Sequence, residues 1–462
     1  MNIDKVKAIV AKTEGLAGWV LRRTETDATT VIRLPGVYTV ENGRFIRHDN
    51  PHPREVINAP GEEVWVTVYC RRTKDGVEQM GEAQGQFVSD DESAVKATLA
   101  SLIAAASGQP NQPYPLVDKN AVYPKVELAD PRLIDATRPE LLARVQQFSD
   151  DVLKATAAEA GVDVSNLEVF VRRFHSRVET NAGLRIEYPA TRADAEICFI
   201  ARFEDKVAEH TARLRARRFE ELDPVKLVTV GAAQARGIAE AGPPPQYHGP
   251  VVLSGEAASD FIRLEAQPLA LHCGARAVYE KTSRYEKGKP ASGTAPLLGD
   301  ALTLFSDPLV PFGVSSRIEA DALPSRRVAL LEEGRYAELF GTLRFYHYLG
   351  LLEQGSQPTG YPGNTVVPPG KTKAADLLGS ERVVVVKTFS DFRADPASGD
   401  FASEVRLGEV REKGKVTPFK GGLLVGNWFA ALADMRFSQE TMVMGDYYGP
   451  SAIRVGNLQV AG

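Results

Sequence analysis

Cysteine is scarce in this sequence of 462 residues: only Cys70, Cys198 and Cys273 occur, and they lie far apart. Three isolated cysteines without a CxxC spacing argue against a disulfide framework and against a structural zinc site. Such cysteine usage is typical of a reducing compartment, so we expect a cytoplasmic protein. Residues 1–5 contain no apolar stretch, which argues against a secretory signal peptide.

The sequence also lacks long apolar runs and an excess of basic residues. No stretch approaches the roughly 18 consecutive apolar residues that a membrane-spanning helix needs, so no membrane partner is expected. Lys and Arg number 55 against 60 Asp and Glu, which gives a net charge of −5. Because nucleic-acid binding usually relies on a basic surface, no nucleic-acid partner is expected either.

One short basic run, RLRARR, occupies residues 213–218. We predict a helix over residues 205–222, in which acidic residues precede and follow this run. A solvated helix face with local ion pairs is therefore the favoured interpretation. An anion or nucleic-acid site at the run is the alternative.

Several motifs that reveal catalytic sites from sequence are missing. The chain contains no GxSxG, no HExxH and no HExxxH. Among its seven histidines, only His272 adjoins a cysteine, Cys273. Because neighbouring residues on a strand point to opposite faces, a structural role is favoured for this pair, and a metal site is the alternative.

A string similar to a phosphate-binding loop, PGKT, occurs at residues 369–372. Such a loop needs a glycine five residues before its Gly-Lys-Thr, and Thr365 occupies that position. Pro368 and Pro369 also remove two of the backbone N–H groups that would hold a phosphate. We therefore predict a plain loop before a strand rather than a nucleotide site.

The order of helical and strand patterns predicts an α+β protein with three regions. Residues 1–110 and 116–242 are predicted to form two α/β subdomains with mixed sheets and helices. Residues 108–115, which contain three prolines, are predicted to link them. Residues 246–462 are predicted to form an antiparallel, β-rich domain.

Local signals support these elements. Thr137 and Glu140 are spaced as a capping box at the start of a predicted helix. Tight hairpin turns are predicted at Asn42-Gly43, Asp75-Gly76 and Lys413-Gly414. Further helices are predicted over residues 92–106, 224–241 and 427–435.

Four segments of the C-terminal half carry a resemblance to a known family. They are residues 249–258 (GPVVLSGEAA), 369–389, 392–404 (FRADPASGDFASE) and 449–462 (GPSAIRVGNLQVAG). Each alone is modest evidence, but their order and spacing make the combination specific. The chain thus resembles the TldD/PmbA family of peptide-processing proteins, which has also been labelled a modulator of DNA gyrase. The net charge of −5 gives no support for a role on DNA.

In catalytic members of this family, the first segment carries HExxxH. Its histidines bind zinc, and its glutamate can act as general base on a zinc-bound water. The matching residues here are Gly255-Glu256-Ala257-Ala258-Ser259-Asp260, so Gly255 and Asp260 replace the two histidines while Glu256 remains. Active members also use a C-terminal cysteine, and this chain has none after Cys273. The resemblance therefore implies a degenerate motif, with no catalytic residue, metal or other cofactor in this chain.

This pattern resembles the PmbA, or TldE, branch of the family. Such subunits pair with a TldD-like catalytic subunit, which holds the zinc, to form a metallopeptidase that processes or degrades unfolded peptides. The implied role is to complete a closed cavity and to help bind the extended peptide substrate, for example by β-strand addition. We expect no stable monomer, and a homodimer is possible when the chain is alone.

Two other functions stay open. One is an independent, metal-free enzyme, and the other is a peptide-binding homodimer, in either case within a peptide or natural-product maturation pathway. Glu256 likewise has two interpretations. It is either a leftover general base or, as favoured here, a carboxylate stabilised at a helix N-terminus.

Overall fold

The computed structural model describes residues 1–41, 44–51, 54–263, 268–319, 321–360, 363–379 and 381–462. The turn predicted at Asn42-Gly43 lies outside these residues. The helices of the described chain are α1 Ile3–Lys12, α2 Glu92–Ser107, α3 Pro131–Ile134, α4 Arg138–Ala157, α5 Pro224–Glu240, α6 Glu256–Ile262, α7 Leu269–His272, α8 Ala275–Tyr279, α9 Leu343–Tyr348 and α10 Trp428–Ala431.

The strands follow the same order along the chain. They are β1 Gly18–Arg33, β2 Gly36–Glu41, β3 Arg44–Asp49, β4 Arg54–Lys74, β5 Val77–Phe87, β6 Val162–Thr180, β7 Arg185–Phe203, β8 Lys206–Ala216, β9 Tyr247–Ser254, β10 Leu304–Asp307, β11 Val328–Glu332, β12 Arg335–Tyr336, β13 Asn364–Val366, β14 Val383–Phe389, β15 Asp400–Glu412, β16 Lys415–Phe419, β17 Leu423–Asn427, β18 Met435–Phe437, β19 Thr441–Met444, β20 Tyr447–Pro450 and β21 Ala452–Ala461.

One antiparallel sheet of six strands forms the base of the N-terminal half, in the order β5-β4-β1-β6-β7-β8. Its central strand β1 pairs with β4 on one side and with β6 on the other. The register with β6 places Val20 opposite Thr180 and Arg33 opposite Leu167. The strands of the two predicted N-terminal subdomains therefore belong to a single sheet.

Helices cover this sheet in two separate groups. Helices α1 and α2 pack on β1, β4 and β5 around a core that includes Val10, Val66 and Leu99. Helices α4 and α5 pack on β6, β7 and β8 around a second core that includes Phe148 and Phe199. The division at residues 110–116 stays a prediction: the two cores are separate, but the sheet beneath them is continuous.

Two further sheets form the C-terminal half. One has the order β12-β11-β10-β13-β20-β19, and the other has the order β14-β9-β21-β17-β15-β16, in which β14 also pairs with β15. Most of these pairings are antiparallel, whereas β9–β14 and β13–β20 are parallel. The predicted α+β class, with a β-rich C-terminal domain, is confirmed.

The helix predicted over residues 205–222 is wrong. The chain forms strand β8 there, which pairs with β7 along its whole length, and a short 3₁₀ turn at Phe219–Glu221 follows. Buried and exposed positions alternate along β8, with Ala208 and His210 buried and Glu209 and Thr211 exposed. This period of two is the pattern of a half-buried strand, and pairing in the sheet outweighs the helix propensity of Arg, Ala and Leu.

Other local predictions are confirmed. Glu140 Oε2 accepts the Thr137 backbone N–H at 2.7 Å, which completes the capping box of α4. Both residues of the Asp75-Gly76 turn have positive φ, as do those of Lys413-Gly414. The helix predicted over residues 427–435 is shorter: α10 continues only as a 3₁₀ turn, Leu432–Asp434.

The edge of the first sheet meets the C-terminal domain at strand β15. Arg406 on β15 donates from Nη2 to the backbone oxygen of Glu209 on edge strand β8, at 2.6 Å. The next residue, Leu407, belongs to the apolar core under α5. This contact brings β8 towards the start of α6.

In the described part of the chain, no helix is long and apolar enough to cross a membrane.

Candidate functional site

Helix α6 begins where the buried strand β9 ends. Val251, Val252 and Leu253 of β9 are fully or almost fully buried. Gly255 then turns the chain with φ 60° and ψ −124°, a conformation that L side chains rarely adopt, and its N–H donates to the Ser451 oxygen at 2.9 Å. The glycine that stands in place of the first motif histidine therefore belongs to the turn itself.

Helix α6 has one apolar and one polar side. Successive residues on a helix are about 100° apart, so positions three and four apart fall on one side. Ala257, Ala258, Phe261 and Ile262 are all fully buried and form the apolar side. The polar side carries Glu256, Ser259, Asp260 and Arg263.

Arg263 forms ion pairs with two carboxylates on this polar side of α6. Arg263, the residue that follows α6, donates from Nη2 to Asp260 Oδ1 at 2.7 Å. Arg263 Nη1 lies 3.6 Å from Oδ1 of Asp446, the residue before β20. The side chains of Asp260 and Asp446 are only 18% and 15% exposed, so both carboxylates lie in a largely dehydrated position.

Two arginines approach Glu256 from other elements, but each is engaged elsewhere. Arg213 on β8 pairs with Glu196 on β7, with Nε 3.0 Å from Oε2. Arg406 on β15 donates to the Glu209 backbone, as described above. Both arginines still act electrostatically on Glu256. No sequence pattern indicated that either arginine would lie near this motif.

Burial raises the pKa of Glu256 from 4.5 to about 7, and the negative charge of Asp260 adds to this rise. Arg263, Arg213 and Arg406 act in the opposite direction without reversing it. Burial likewise raises the pKa of Asp260, against the opposing effect of Arg263. Glu256 is the first residue of α6, as predicted, but desolvation outweighs the stabilisation expected of a carboxylate there.

The raised pKa predicts a pH-dependent stability. Between pH 4.5 and about 7, the folded chain keeps a proton on Glu256 that the unfolded chain has lost, so raising the pH costs stability. Glu256→Gln should remove this loss, and the variant should exceed the parent at pH 8 by on the order of 2 kcal/mol. At pH 4 the two should be nearly equal.

Urea unfolding at both pH values measures this difference. Glu78→Gln is the matched control, because Glu78 lies on strand β5 with its side chain 57% exposed. It should change stability little at either pH. An equal effect of Glu256→Gln at pH 4 and pH 8 would contradict the assigned pKa.

The residues at the degenerate motif do not fit a zinc ion. Zinc in proteins is held by cysteine thiolates, histidine nitrogens and carboxylates, in sets of three or four. Gly255 offers no side-chain donor, and Asp260 is already bound to Arg263. Within the described residues, no group of three or more His, Cys, Asp or Glu side chains could hold a metal.

The side chains of His272 and Cys273 make contacts within the fold that suit a structural role. These residues end helix α7 rather than lying on a strand. His272 Nδ1 accepts the Arg284 backbone N–H at 3.0 Å, and its Nε2 lies 3.3 Å from the Ala397 oxygen. Cys273 is fully buried, and its Sγ lies 3.9 Å from the Leu330 oxygen. The two side chains thus have separate partners.

The basic run, residues 213–218, forms the local ion pairs that were expected, although its first four residues lie on strand β8 and not on a helix. Arg218 Nη2 lies 2.6 Å from Glu221 Oε1, and Arg213 pairs with Glu196. Arg217 differs, because its guanidinium donates to backbone oxygens, including that of Ser315 at 2.8 Å. It thereby ties the first sheet to a loop of the C-terminal domain.

Comparison with known proteins identifies the C-terminal half. Residues 246–462 match the PmbA/TldA metallopeptidase C-terminal domain. This domain belongs to the TldD/PmbA family. The family predicted from the four sequence segments is therefore confirmed, and the non-catalytic branch stays a prediction. The strand β9, the motif on α6 and the last strand β21 all fall within the matched TldD/PmbA region.

Solved structures share the fold over nearly the whole chain. TldE from Thermococcus kodakarensis aligns with a TM-score of 0.75 and 16% identity, covering 100% of this chain and 99% of that one. A Thermotoga maritima protein described as a candidate modulator of DNA gyrase gives 0.76 and 19%, covering 99% of each chain. A similarly described protein of Bacteroides thetaiotaomicron gives 0.78 and 13%, covering 100% and 99%. At these identities the likeness shows the TldD/PmbA fold alone.

A curated relative matches a smaller part of this chain than the solved structures do. An uncharacterized protein of Methanocaldococcus jannaschii is 23% identical over 220 residues, which is 46% of this chain and 51% of that protein. The match thus spans about half the length of this relative.

Proposed function

We propose that this chain is a non-catalytic, TldE/PmbA-like subunit of a heteromeric zinc metallopeptidase. A TldD-like partner would hold the zinc and carry out the hydrolysis of unfolded peptides. The observation that carries this proposal is the lack of zinc ligands at the start of α6. Gly255 forms a turn there, and Asp260 pairs with Arg263. The membership of the C-terminal domain in a metallopeptidase family supports it.

The chemistry argues for a partner. Water becomes a nucleophile at neutral pH when a bound metal lowers its pKa from about 15.7 to about 7. Glu256 alone supplies no such shift, because a carboxylate only accepts a proton from water. The role left for this chain is to bind and position the peptide and to close the site from water.

Reconstitution tests this proposal. The TldD-like homologue with an intact HExxxH from the same genome is co-expressed with this chain, and the complex is isolated through a tag on either subunit. We expect co-purification, with about one zinc per catalytic subunit and none on this chain alone. Peptide hydrolysis should require both chains and should be lost when the partner's motif glutamate becomes glutamine. Zinc bound at one equivalent to this chain, or full activity of the partner alone, would contradict the proposal.

The raised pKa of Glu256 favours a second candidate, a metal-free acid–base enzyme. Two neighbouring carboxylates with perturbed pKa values are a recurring arrangement of general acid and base sites. Such an enzyme would act on its own and would keep its activity in the presence of a chelator. An activity of the isolated chain that survives EDTA would therefore favour this candidate over the first.

A further inference from the structure

A loop of the C-terminal domain packs against the sheet of the N-terminal half. Residues 317–325, here called the junction loop, form a tight turn in which Ala322 has a positive φ of 58°. Ile318 and Ala322 are 3% and 0% exposed, and they share one apolar core with Val20 of β1 and Val178 of β6. The junction loop therefore joins the two halves of the chain through its own buried side chains.

Charged side chains from three other elements face Asp321 of the junction loop. They are Arg22 on β1, Glu82 on β5 and Arg344 on α9. Arg344 Nη1 lies 3.1 Å from Glu82 Oε1. Arg22 donates from Nη2 to the backbone oxygen of Glu319. Within the described residues, the Asp321 carboxylate itself makes neither a hydrogen bond nor an ion pair. It is partly buried and lines a small cavity against β1 and β6.

The balance of charge in this cluster is negative. Two positive and three negative groups meet, which leaves a net charge of −1 when all of them are ionised. The charged groups are Arg22, Arg344, Glu82, Glu319 and Asp321, and the uncharged Tyr69 and Tyr188 also border Arg22. Glu319 accepts a hydrogen bond from Ser325 Oγ at 2.6 Å. Glu82 accepts one from Tyr114 Oη at 2.7 Å. Asp321 is therefore the carboxylate that a proton neutralises at the lowest cost.

We propose that the junction loop is a pH-sensitive latch between the N-terminal sheet and the C-terminal domain. The loop docks tightly on the sheet while a proton occupies Asp321, and docking weakens when that proton is lost. The physical reason is that an ionised carboxylate without a partner is costly in a partly dehydrated position, and the nearby charge of Glu82 repels it. Arg22 and Arg344 reduce this cost, but each already donates to another oxygen. This latch is independent of the proposed peptidase role.

The direction of the effect follows from the pKa of Asp321. Burial raises this pKa from 3.8 to about 6, and Glu82 adds to the rise, whereas Arg22 and Arg344 oppose it. A released loop exposes Asp321 to water, where its pKa returns towards 3.8. Between pH 3.8 and about 6 the docked loop therefore keeps a proton that the released loop has lost, so a rising pH weakens docking. From pH 5 to pH 7.5 the docking equilibrium should weaken about tenfold.

Hydrogen exchange of the purified full-length chain tests the latch. The N–H groups of Ala322 and Ser325 donate to backbone oxygens within the junction loop, at 3.1 and 3.2 Å, so their exchange reports opening of the loop. Exchange is followed by mass spectrometry at pH 5 and pH 7.5 on fragments that contain these amides, and each rate is compared with the intrinsic rate at that pH. We expect protection of these amides to fall about tenfold from pH 5 to pH 7.5.

Variants connect this loss of protection to Asp321. Asp321→Asn keeps the shape of the side chain without its charge, so the loop should be equally protected at both pH values. Asp205→Asn is the matched control in the exposed turn between β7 and β8, and it should keep the tenfold loss. Glu256→Gln should also keep it, which separates the latch from the effect of pH on global stability. Equal protection of the parent loop at pH 5 and pH 7.5, or an undiminished loss in Asp321→Asn, would overturn the latch.

Discussion

Trp428→Ala should destabilise the chain by about 3–5 kcal/mol. Trp428 is 0% exposed and lies in the large core of the C-terminal domain. Its Nε1–H donates to the Phe261 backbone oxygen at 3.0 Å. Phe261 lies in the last turn of α6, whose carbonyl groups have no partner within the helix. The substitution therefore opens a cavity and leaves a buried carbonyl without its donor.

Urea unfolding of the purified chain measures this loss. Trp65→Ala is the matched control, because it removes the same side chain from strand β4, where Trp65 is 36% exposed. This control should cost far less than Trp428→Ala. Trp428→Phe should fall between the two, since it keeps most of the volume but loses the hydrogen bond. A Trp428→Ala effect no larger than that of Trp65→Ala would show that α6 does not depend on this contact.

The position of the candidate site on the fold could be predicted from sequence. The apolar run before Gly255 is typical of a buried strand, and the interpretation of Glu256 as a carboxylate at a helix N-terminus agrees with β9 followed by α6. Arg263 could also have been found, because it follows Asp260 at the helical spacing of three. Arg213, Arg406 and Asp446 could not, since no local pattern relates residues that are tens to hundreds of positions apart.

The errors in secondary structure have a common physical cause. Residues 206–216 contain many helix formers, yet they form strand β8. Pairing with β7 buries side chains at alternate positions of this strand. The polar residues 24–27 interrupt the apolar pattern of strand β1. The strand continues through that stretch, since β4 and β6 both pair with it there. Tertiary pairing outweighed the local pattern in both places.

Gly370→Ala should be the second strongly destabilising change, and its cause is steric. A Cβ at this position would lie 1.9 Å from the Phe437 backbone oxygen, and the Gly370 N–H donates to the Ser438 oxygen at 2.9 Å. Phe437 is fixed by pairing with Ile453 of β21, so neither backbone can move away cheaply. We expect a loss of roughly 3 kcal/mol or more.

Lys371→Ala separates this structural role from nucleotide binding. Lys371 is exposed, so its removal should change stability by less than about 0.5 kcal/mol. Gly61→Ala is a control for the glycine change itself, because a Cβ there would meet only Thr26 Cβ at 3.9 Å. In a phosphate-binding loop, the lysine would contact the phosphates and Mg-ATP would raise the thermal midpoint. We expect no such rise in the parent chain, so an Mg-ATP-dependent rise that Lys371→Ala abolishes would show that residues 369–372 bind a nucleotide after all.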